Sequence, residues 1–351
     1  MRLPTTEQRD FVSTVEAIAA KHDPLRGVRA AAASRQLDEA LWQALVDAGV
    51  LEPLREGDVL TACLVAEALG KSAAPVPYLS RSVAQESLSV MGADDPEVWA
   101  TFGFLGADGG CTARSLDERE GRVDGVLPFV PDADLAQAVV AVVRGDRPCA
   151  VVLDIADAKR TPLRTLDLTQ PMSSLEFGGA AATVLSVAGT ELVAAMNRVQ
   201  AVGTAIHCAG LVGAMSWLLE TTVTYAGQRV QFGQAIATRQ AVKHSCAEML
   251  AEVESSRAMV LELADALGDE GNDNDAHARE LLVSTVKAFV SDAAQDCASR
   301  AFQLHGGIGF TWEHDLHHYF KRCVTGATLF GTATSHRARI ARYLRALPTA
   351  Q

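Results

Sequence analysis

Four long stretches with apolar residues at helical spacing occupy the second half of the chain, and they limit its possible folds more than any other feature. They span residues 191–226, 239–267, 276–304 and 315–347. Apolar side chains recur in them at intervals of three and four residues, which is the period of one face of an α-helix. Amphipathic helices of this length bury their apolar faces against one another. The pattern therefore predicts a four-helix bundle over residues 189–351.

Shorter helical patterns fill the N-terminal part of the chain. Thr5 and Gln8 can form a capping box at the start of the first of these patterns. Pro75 and Pro77 interrupt the chain ahead of the last. The three later patterns span residues 38–50, 60–69 and 78–90. We therefore predict an N-terminal helical domain over residues 1–97.

The middle of the chain has a different pattern, with short runs of β-branched residues between turn sequences. The runs begin near Ala100, Arg122, Gln137 and Cys149 and continue over 161–168 and 173–177, with turns at 108–110 and 144–146. Such runs are typical of short strands. They predict a small antiparallel β-barrel over residues 98–188. The fold class expected is mainly α with a small β-domain.

Composition excludes several classes of function. The 351 residues carry a net charge of −12 without a dense basic cluster, so a nucleic-acid partner is not expected. Seven scattered cysteines without a C-x-x-C pair indicate a reducing compartment rather than disulfides or zinc. The sequence shows neither an apolar signal core nor a long uncharged apolar run. We therefore expect a soluble cytoplasmic protein with no membrane partner.

The glycine-rich segment Gly306–Gly309 ends the third bundle pattern and has two possible uses. Its three glycines allow positive φ angles and leave the backbone without Cβ atoms. One use is a simple helix C-cap. The other is close approach of the backbone to an anionic ligand, although the spacing matches neither a P-loop nor a dinucleotide GxGxxG motif. The residues alone leave both uses open.

Four histidines near this segment do not predict a metal site. They are His305, His314, His317 and His318. The last two are adjacent, and adjacent side chains on a helix point about 100° apart, so they cannot easily face one ion. We expect packing or surface roles for all four, and no metal.

Two segments of the chain resemble the acyl-CoA dehydrogenase family. The first reads QLHGGIGFTWEHDLHHYFKR and spans residues 303–322. The second reads YAGQRVQFGQAIATRQ over residues 225–240, and it carries the family's R-x-x-F-G pattern with a downstream glutamine. The similarity is clear over the bundle, weaker at the N-terminus and poor in the middle. It implies the family's fold, with a helical domain, a β-barrel and a four-helix bundle, and it implies FAD as the cofactor.

The resemblance also implies particular contacts to FAD. In the family, the arginine of the second segment binds the FAD diphosphate of a neighbouring subunit, because a planar guanidinium matches two phosphate oxygens. The glycines of the first segment complete this contact across the subunit boundary. We call the matching residues here the flavin clasp; they are Arg229, Phe232, Gln240, Gln303, Gly306 and Gly307. Thr332, in a more distant retained segment, is a further implied cofactor contact.

The positions at which the family carries its catalytic base hold no carboxylate in this chain. The family reaction removes an α-proton from an acyl-CoA thioester while a hydride leaves the β-carbon for the flavin. The usual glutamate lies 27 residues after the clasp glutamine, at a position that Phe330 occupies here. Other members carry it 26 residues before the clasp arginine, at a position that Gly203 occupies. Neither side chain can accept a proton, so we predict no catalytic residue in this chain.

The N-terminal half departs from the family pattern in further places. The strand segments that cover the flavin ring in relatives correspond to residues 106–115 and 127–132, which lack the usual hydroxyls and aromatic residue. The loop between the second and third helices, which shapes the acyl pocket in relatives, is reduced to residues 51–59. These differences predict a weakened flavin site and an altered acyl pocket within this chain.

Taken together, the chain resembles the shorter subunit of the heteromeric α2β2 acyl-CoA dehydrogenases of actinobacterial sterol side-chain degradation. The resemblance implies α,β-desaturation of an acyl-CoA whose acyl group is a sterol side chain or another bulky group. The implied partners are a longer homologue with the catalytic glutamate, the acyl-CoA, and an electron-transferring flavoprotein as acceptor. This chain would supply FAD contacts to the longer subunit.

Two alternatives remain open from the sequence. The first is a self-sufficient homo-oligomeric acyl-CoA dehydrogenase with an atypical base, for which the candidates are Glu220, Glu248 and Glu313. The second is a flavin-free scaffold or CoA-thioester-binding module.

Overall fold

The computed structural model has the predicted class of fold, with helices, then a sheet, then longer helices. It describes residues 2–30, 38–93, 99–104, 116–119, 121–144, 148–268 and 276–346. The first six helices are α1 (Thr6–Lys21), α2 (Arg26–Ala30), α3 (Glu39–Asp47), α4 (Glu52–Arg55), α5 (Val59–Lys71) and α6 (Tyr78–Val90).

The helix starts follow local capping. Thr5 and Gln8 form the predicted capping box of α1. Asp58 caps α5 through the backbone amide of Thr61. The short helix α4 lies in the segment that the sequence presented as a loop, because one turn led by a proline gives no readable periodicity.

Helix α5 continues two residues beyond its predicted end because Gly70 is needed inside it. A Cβ atom on Gly70 would lie 2.1 Å from the carbonyl oxygen of Gly210 on helix α7 (Gly189–Gln228). A Cβ on Gly213 would lie 2.0 Å from the carbonyl oxygen of Glu67. Glycine therefore allows these two helices to pack with their backbones in contact, and Gly70 does not end the helix.

In the described part of the β-domain there are seven strands: β1 (Ala100–Phe102), β2 (Leu116–Arg119), β3 (Arg122–Pro131), β4 (Ala138–Arg144), β5 (Cys149–Asp154), β6 (Ala158–Pro162) and β7 (Met172–Ala188). The order β4-β2-β3-β7-β5 returns to β4, which closes the sheet into a barrel. The expectation of a wholly antiparallel sheet is wrong in two places, because β1 and β2 both run parallel to β4. Strand direction depends on the path of the connections, which local residue patterns do not specify.

The strand predicted over residues 161–168 is also wrong in its extent. Strand β6 ends at Pro162, and Asp167 then forms a turn by accepting hydrogen bonds from the amide and hydroxyl of Thr169. Strand β7 is longer than the predicted segment because it pairs with β3, β5 and β6 along its length. The predicted turns at 108–110 and 145–146 and the segment 106–115 lie outside the described residues.

The bundle contains α7 (Gly189–Gln228), α8 (Gln240–Gly268), α9 (Ala276–His305), α10 (Leu316–Gly326) and α11 (Ala333–Ala346), with a small hairpin of β8 (Val230–Gln231) and β9 (Gln234–Ala235) after α7. The single helix predicted over 315–347 is wrong. Residues 327–332, the α10–α11 turn, divide it. Phe330 has a φ of 61° and Gly331 a φ of 104°, and these left-handed conformations cannot continue a right-handed helix.

Helix α7 is the central element of the molecule. By length and composition it could cross a membrane, but 83% of its most apolar window is buried inside the fold. One core cluster joins it to the N-terminal helices and the rest of the bundle, and another lies inside the barrel. A third lies between α6, α7, the barrel and the α10–α11 turn. This third cluster contains Phe330, and Gly203 adjoins it; these are the two positions at which the family carries its base.

Candidate functional site

The C-terminal ends of α7 and α9 meet, which brings the two family-like segments together. The ring of Tyr225 stacks on the ring of His305 with centroids 4.5 Å apart. The Tyr225 hydroxyl also donates a hydrogen bond to the His305 carbonyl oxygen at 3.3 Å. Arg229 lies one helical turn beyond Tyr225, and Gly306 directly follows His305. The guanidinium and the glycines of the flavin clasp are therefore neighbours on one end of the bundle.

The glycine turn after α9 exposes a bare stretch of backbone. Gly306 has a φ of 63°, and a Cβ atom at Gly306 or Gly307 would meet nothing within 4 Å. Gly309 differs, because a Cβ there would lie 2.8 Å from Leu316 Cδ2. The turn is thus packed at its far end and open where it follows the helix.

An anion bound at this turn would need a positively charged side chain, because the turn itself supplies no positive charge. The turn follows the C-terminal end of α9, where the free backbone groups are carbonyls and the helix dipole is negative. Arg229 is exposed, and its guanidinium has no ion-pair partner within the described part of the chain. A diphosphate at the clasp would therefore be held by Arg229, with the glycines allowing close approach.

Phe232 forms the tip of the β8–β9 hairpin in a strained conformation. Its φ is 54° and that of Gly233 is 79°, as a type I′ turn requires. A bulky residue in this region costs about 1–2 kcal/mol. The Phe232 ring is 89% exposed, and the Arg239 guanidinium carbon lies 5.2 Å from its centroid. The hairpin thus presents a flat apolar ring to the outside.

The other clasp residues are also at the surface. Gln303 is exposed, and Gln240 opens α8 with its amide nitrogen 2.8 Å from His244 Nε2. Beside them lies a set of exposed apolar side chains that the sequence analysis did not single out, Ile308, Phe310 and Trp312. We call these three the aromatic rim. Grouped exposed aromatic residues of this kind mark a surface that another molecule covers.

Both base positions are buried between the barrel and the bundle, where Gly203 faces Phe330 of the third cluster. Phe330 is completely buried. A Cβ atom on Gly203 would lie 2.8 Å from Phe330 Cε1 and 2.9 Å from Cζ. Phe102 stacks on the other side with its centroid 6.0 Å from that of Phe330. The ring of Phe330 therefore occupies the space next to Gly203.

A buried polar group supports the α10–α11 turn that carries Phe330. Lys287 Nζ donates hydrogen bonds to Ser291 Oγ at 2.6 Å and to the carbonyl oxygens of Gly326 and Ala327 at 3.2 Å. His207 Nε2 lies 2.8 Å from the same Gly326 oxygen. Burial lowers the pKa of Lys287 to about 8 and that of His207 to about 3. Lys287 and His207 therefore stabilise the turn through contacts with the carbonyl oxygens at which it begins.

Thr332 is the one predicted cofactor residue that the structure does not bring to the clasp. It belongs to the α10–α11 turn, where its hydroxyl accepts a hydrogen bond from the Ser335 amide and caps α11. The nearby Phe330 contacts Gly203, which is 26 residues before Arg229 on α7. At 1.5 Å per residue these two points on α7 are about 39 Å apart. The clasp and the base positions therefore lie toward opposite ends of one helix.

The three alternative base candidates are surface residues. Glu220 forms an ion pair with Lys71 at 2.8 Å, and Glu248 forms one with Arg300 at 3.3 Å. Glu313 is exposed beside the aromatic rim. None of the three belongs to the cluster around Phe330.

A groove of about 700 Å³ runs between α7, α9 and α11, and sequence reasoning missed it. Four arginines line it: Arg198, Arg279, Arg339 and Arg342. Arg198 forms an ion pair with Glu86, whereas the other three have no ion pair within the described residues. His277 and Tyr343 add an aromatic wall, with ring centroids 5.9 Å apart. The arginines come from three separate helices, so no local pattern could reveal the groove.

Comparison with known proteins relates this site to a family. The family model for the acyl-CoA dehydrogenase C-terminal domain matches residues 193–344. The acyl-CoA dehydrogenase IpdE2 of Mycolicibacterium smegmatis is 31% identical over 350 residues, covering 95% of this chain and 98% of the relative. The chain belongs to the acyl-CoA dehydrogenase family.

Solved structures agree with an acyl-CoA dehydrogenase fold. The ChsE4-ChsE5 complex from Mycobacterium tuberculosis superposes with a TM-score of 0.85 at 24% identity, covering 99% of this chain and 100% of the matched chain. A variant of the Tcur3481-Tcur3483 steroid ACAD superposes with a TM-score of 0.84 at 23% identity, covering 97% and 98%. The predicted family and fold class are confirmed.

Acyl-CoA dehydrogenases are FAD-dependent flavoproteins, and the clasp of this chain fits part of such a dinucleotide. Arg229 supplies a fork of donors for a diphosphate, and Phe232 supplies a flat face for a base. The open backbone at Gly306 and Gly307 leaves room for the ligand. All of these groups are exposed at the surface of this chain.

Proposed function

We propose that this chain is a subunit of a heteromeric acyl-CoA dehydrogenase and supplies FAD contacts to a longer partner subunit that carries the catalytic glutamate. The reaction is the α,β-desaturation of an acyl-CoA thioester. One observation carries the proposal: the flavin clasp is exposed and open, whereas the base positions of the same chain are filled by Phe330 and Gly203 in contact.

The separation along α7 supports a contact between subunits. Arg229 lies about 39 Å along the helix from Gly203. A flavin whose ring sits near Gly203 would have to extend over that whole distance to reach Arg229 of the same chain. A clasp at the far, exposed end of the bundle is better placed to serve a neighbouring chain.

The filled cavity supports assigning the proton transfer to the partner. Phe330, Phe102 and Phe104 are all buried in one apolar cluster. An acyl chain and a carboxylate would need this space, and an apolar ring provides neither room nor a proton acceptor. The short link at 51–59, occupied by α4, agrees with an altered pocket.

The contribution of this chain to the reaction is binding and orientation. When bound, FAD accepts the hydride that leaves the substrate β-carbon. Arg229 would neutralise the diphosphate, and Phe232 would cover the adenine end. Gln240 and Gln303 would donate hydrogen bonds beside the open backbone of Gly306. The aromatic rim would be covered by the partner subunit, which keeps water away from the diphosphate.

The relatives support a proposal for the substrate class and the remaining partners. Two similar structures are a steroid ACAD and a two-component complex. We therefore propose a sterol side-chain or other bulky acyl-CoA as substrate, an α2β2 assembly, and an electron-transferring flavoprotein as acceptor. We also propose a cytoplasmic location, because the six cysteines that the structure describes form no disulfide with one another.

The flavin content of the chain tests the proposal. We expect no FAD when the chain is purified alone and one FAD per pair when it is co-expressed with the longer homologue. Absorbance near the flavin maximum and native mass spectrometry give the two stoichiometries. One FAD per chain together with dehydrogenase activity in the isolated protein would instead establish the self-sufficient enzyme with an atypical base.

A second candidate function, a flavin-free module that binds CoA thioesters, is favoured by the arginine-lined groove. Arg279, Arg339 and Arg342 are available to phosphate groups, and Tyr343 offers a ring for a base. Calorimetric titration of the isolated chain with CoA tests this function. Binding that disappears in Arg339→Gln/Arg342→Gln would support it, and absence of binding by the unaltered chain would exclude it.

A further inference from the structure

We propose that Tyr225 and His305 are positioning residues of the clasp: their stacked pair sets the distance and angle between Arg229 and the glycine turn. The inference rests on the proposed function, since it concerns the same FAD contact. Neither residue belongs to the clasp as the sequence defined it.

The pair joins the two halves of the clasp by two independent contacts. The rings are nearly parallel, at 19°, with centroids 4.5 Å apart. The Tyr225 hydroxyl reaches the His305 carbonyl oxygen, the last one of α9. This hydrogen bond satisfies a carbonyl at the C-terminal end of the helix, immediately before the bare glycines. The start of the turn is therefore tied to α7.

His305 is itself held in one orientation. Its Nδ1 atom lies 2.8 Å from the Ala301 carbonyl oxygen, so this nitrogen carries the proton and donates it. The edge of the His314 ring approaches from another side, with centroids 5.1 Å apart. Only 3% of the His305 surface is exposed. The ring of His305 therefore has a fixed orientation when Tyr225 stacks on it.

Tyr225 in turn fixes the backbone from which Arg229 projects. It lies four residues before Arg229, whose backbone amide donates to the Tyr225 carbonyl oxygen at 2.8 Å. This is the last hydrogen bond of α7. Beyond it Arg229 has an extended conformation, with a φ of −73° and a ψ of 115°. Anchoring Tyr225 therefore limits fraying of the turn from which Arg229 projects, and Arg229 and Gly306 move as one unit.

The test compares FAD affinity with assembly in the complex of this chain with its longer homologue. The dissociation constant is measured by titrating FAD into the flavin-depleted complex, and assembly is measured by native mass spectrometry and thermal unfolding. Tyr225→Leu removes both the stack and the hydrogen bond, and we expect FAD to bind about tenfold more weakly. Tyr225→Phe keeps the stack and removes the hydrogen bond, and we expect a loss of about threefold.

The chain offers a matched control in another tyrosine. The ring of Tyr319 stacks on that of Trp217 with centroids 3.8 Å apart, and its hydroxyl donates a hydrogen bond to the Lys71 carbonyl oxygen at 2.7 Å. Tyr319→Phe, which likewise keeps the stack and removes the hydrogen bond, should leave FAD affinity unchanged. A purely structural role of Tyr225 would lower the unfolding temperature or the assembled fraction in Tyr225→Leu and Tyr225→Phe without changing FAD affinity, and that result would overturn the inference.

Arg229→Gln separates this inference from the proposed function. Weaker FAD binding in Arg229→Gln and in the Tyr225 variants supports both the proposed function and the positioning role. Weaker binding in Arg229→Gln with unchanged binding in the Tyr225 variants contradicts the positioning role alone. Unchanged binding in all variants contradicts the clasp itself. If Tyr225→Leu does not assemble, the milder Tyr225→Phe decides the outcome.

Discussion

Phe232 combines a strained backbone conformation with a highly exposed side chain. It holds a bulky side chain at a φ of 54° while leaving 89% of that side chain exposed. Its contact with Arg239 recovers part of the cost, about 0.5–1 kcal/mol for an exposed cation–π pair. An unconstrained hairpin would carry asparagine or glycine at this point. This conformation agrees with the proposed contact of the ring with FAD.

Phe232→Asn should raise the stability of the isolated chain and weaken FAD binding in the complex. Asn-Gly is the preferred type I′ turn, so we expect the free energy of unfolding to rise by about 0.5–1 kcal/mol. Urea unfolding measures the first effect, and FAD titration the second. Phe232→Ala is the control, because it removes the ring but keeps most of the strain. Unchanged FAD affinity in both variants would contradict a role of this ring at the flavin.

Gly203 and Phe330 are in contact, so the effect of Gly203→Ala on stability should depend on the residue at position 330. We expect the substitution to destabilise the unaltered chain and to stabilise a Phe330→Ala variant. In the unaltered chain, Gly203→Ala places a methyl group against the Phe330 ring and Val83, and we expect a loss of about 2 kcal/mol in unfolding free energy. In a Phe330→Ala background the contacts with the ring are gone, and Val83 Cγ2 at 3.1 Å remains. Val83 can shift into the space that the ring leaves, so the change should then stabilise the protein by up to about 1 kcal/mol, because alanine is the better helix former. Urea unfolding of the four proteins measures this cycle. An equal loss in both backgrounds would contradict the filled cavity.

At the scale of elements, the α10–α11 turn is maintained by a buried lysine. Lys287 has no exposed surface and donates to two carbonyls at the end of α10. Burial lowers its pKa from 10.5 to about 8. Between these two values the unfolded chain holds more protons on this group than the folded chain does. The stability contributed by this group therefore rises with pH over that interval.

Lys287→Met isolates this effect. The unaltered protein should gain unfolding free energy relative to Lys287→Met as the pH rises from 8 to 10.5, since methionine does not titrate. Urea unfolding at pH 7.5, 9 and 10.5 measures the difference between the two proteins. Lys321→Met provides the control, because this lysine lies at the surface over Trp312. A difference that does not change with pH would contradict burial of a charged Lys287.

At the scale of the whole molecule, several buried neutral histidines predict sensitivity to acid. Burial lowers the pKa of His207 to about 3, and that of His318 and of His336 to about 4. The unfolded chain takes up protons on these groups below their ordinary pKa of 6.5, whereas the folded chain does not. Stability is therefore lost as the pH falls from about 6.5 toward 4.

Urea unfolding of the isolated chain at pH 7 and pH 5 measures this loss. His336→Asn should reduce the difference between the two pH values, because it removes one of the histidines whose pKa burial lowers. His244→Asn, which changes an exposed histidine, should leave the difference unaltered. Equal stability of the unaltered protein at the two pH values would contradict the prediction.

The sequence alone determined most of the elements and the family. The capping box at Thr5 and the helix Tyr78–Val90 depend on residues within a few positions of each other, and local patterns report such contacts well. The clasp residues were also identified from two short segments. The resemblance of these segments to the family depends on the order of residues along the chain and requires no distance between atoms.

Only the tertiary structure decided where these elements meet. Phe330 contacts Gly203 across more than a hundred residues, and the left-handed turn that carries Phe330 divides a helix that periodicity alone presents as continuous. The parallel pairing of β1 and β2 with β4, the arginine groove and the Tyr225–His305 pair likewise join distant segments. Local patterns record which residues can form an element. Packing between elements depends on shape and on chain path, and these exist only in the folded molecule.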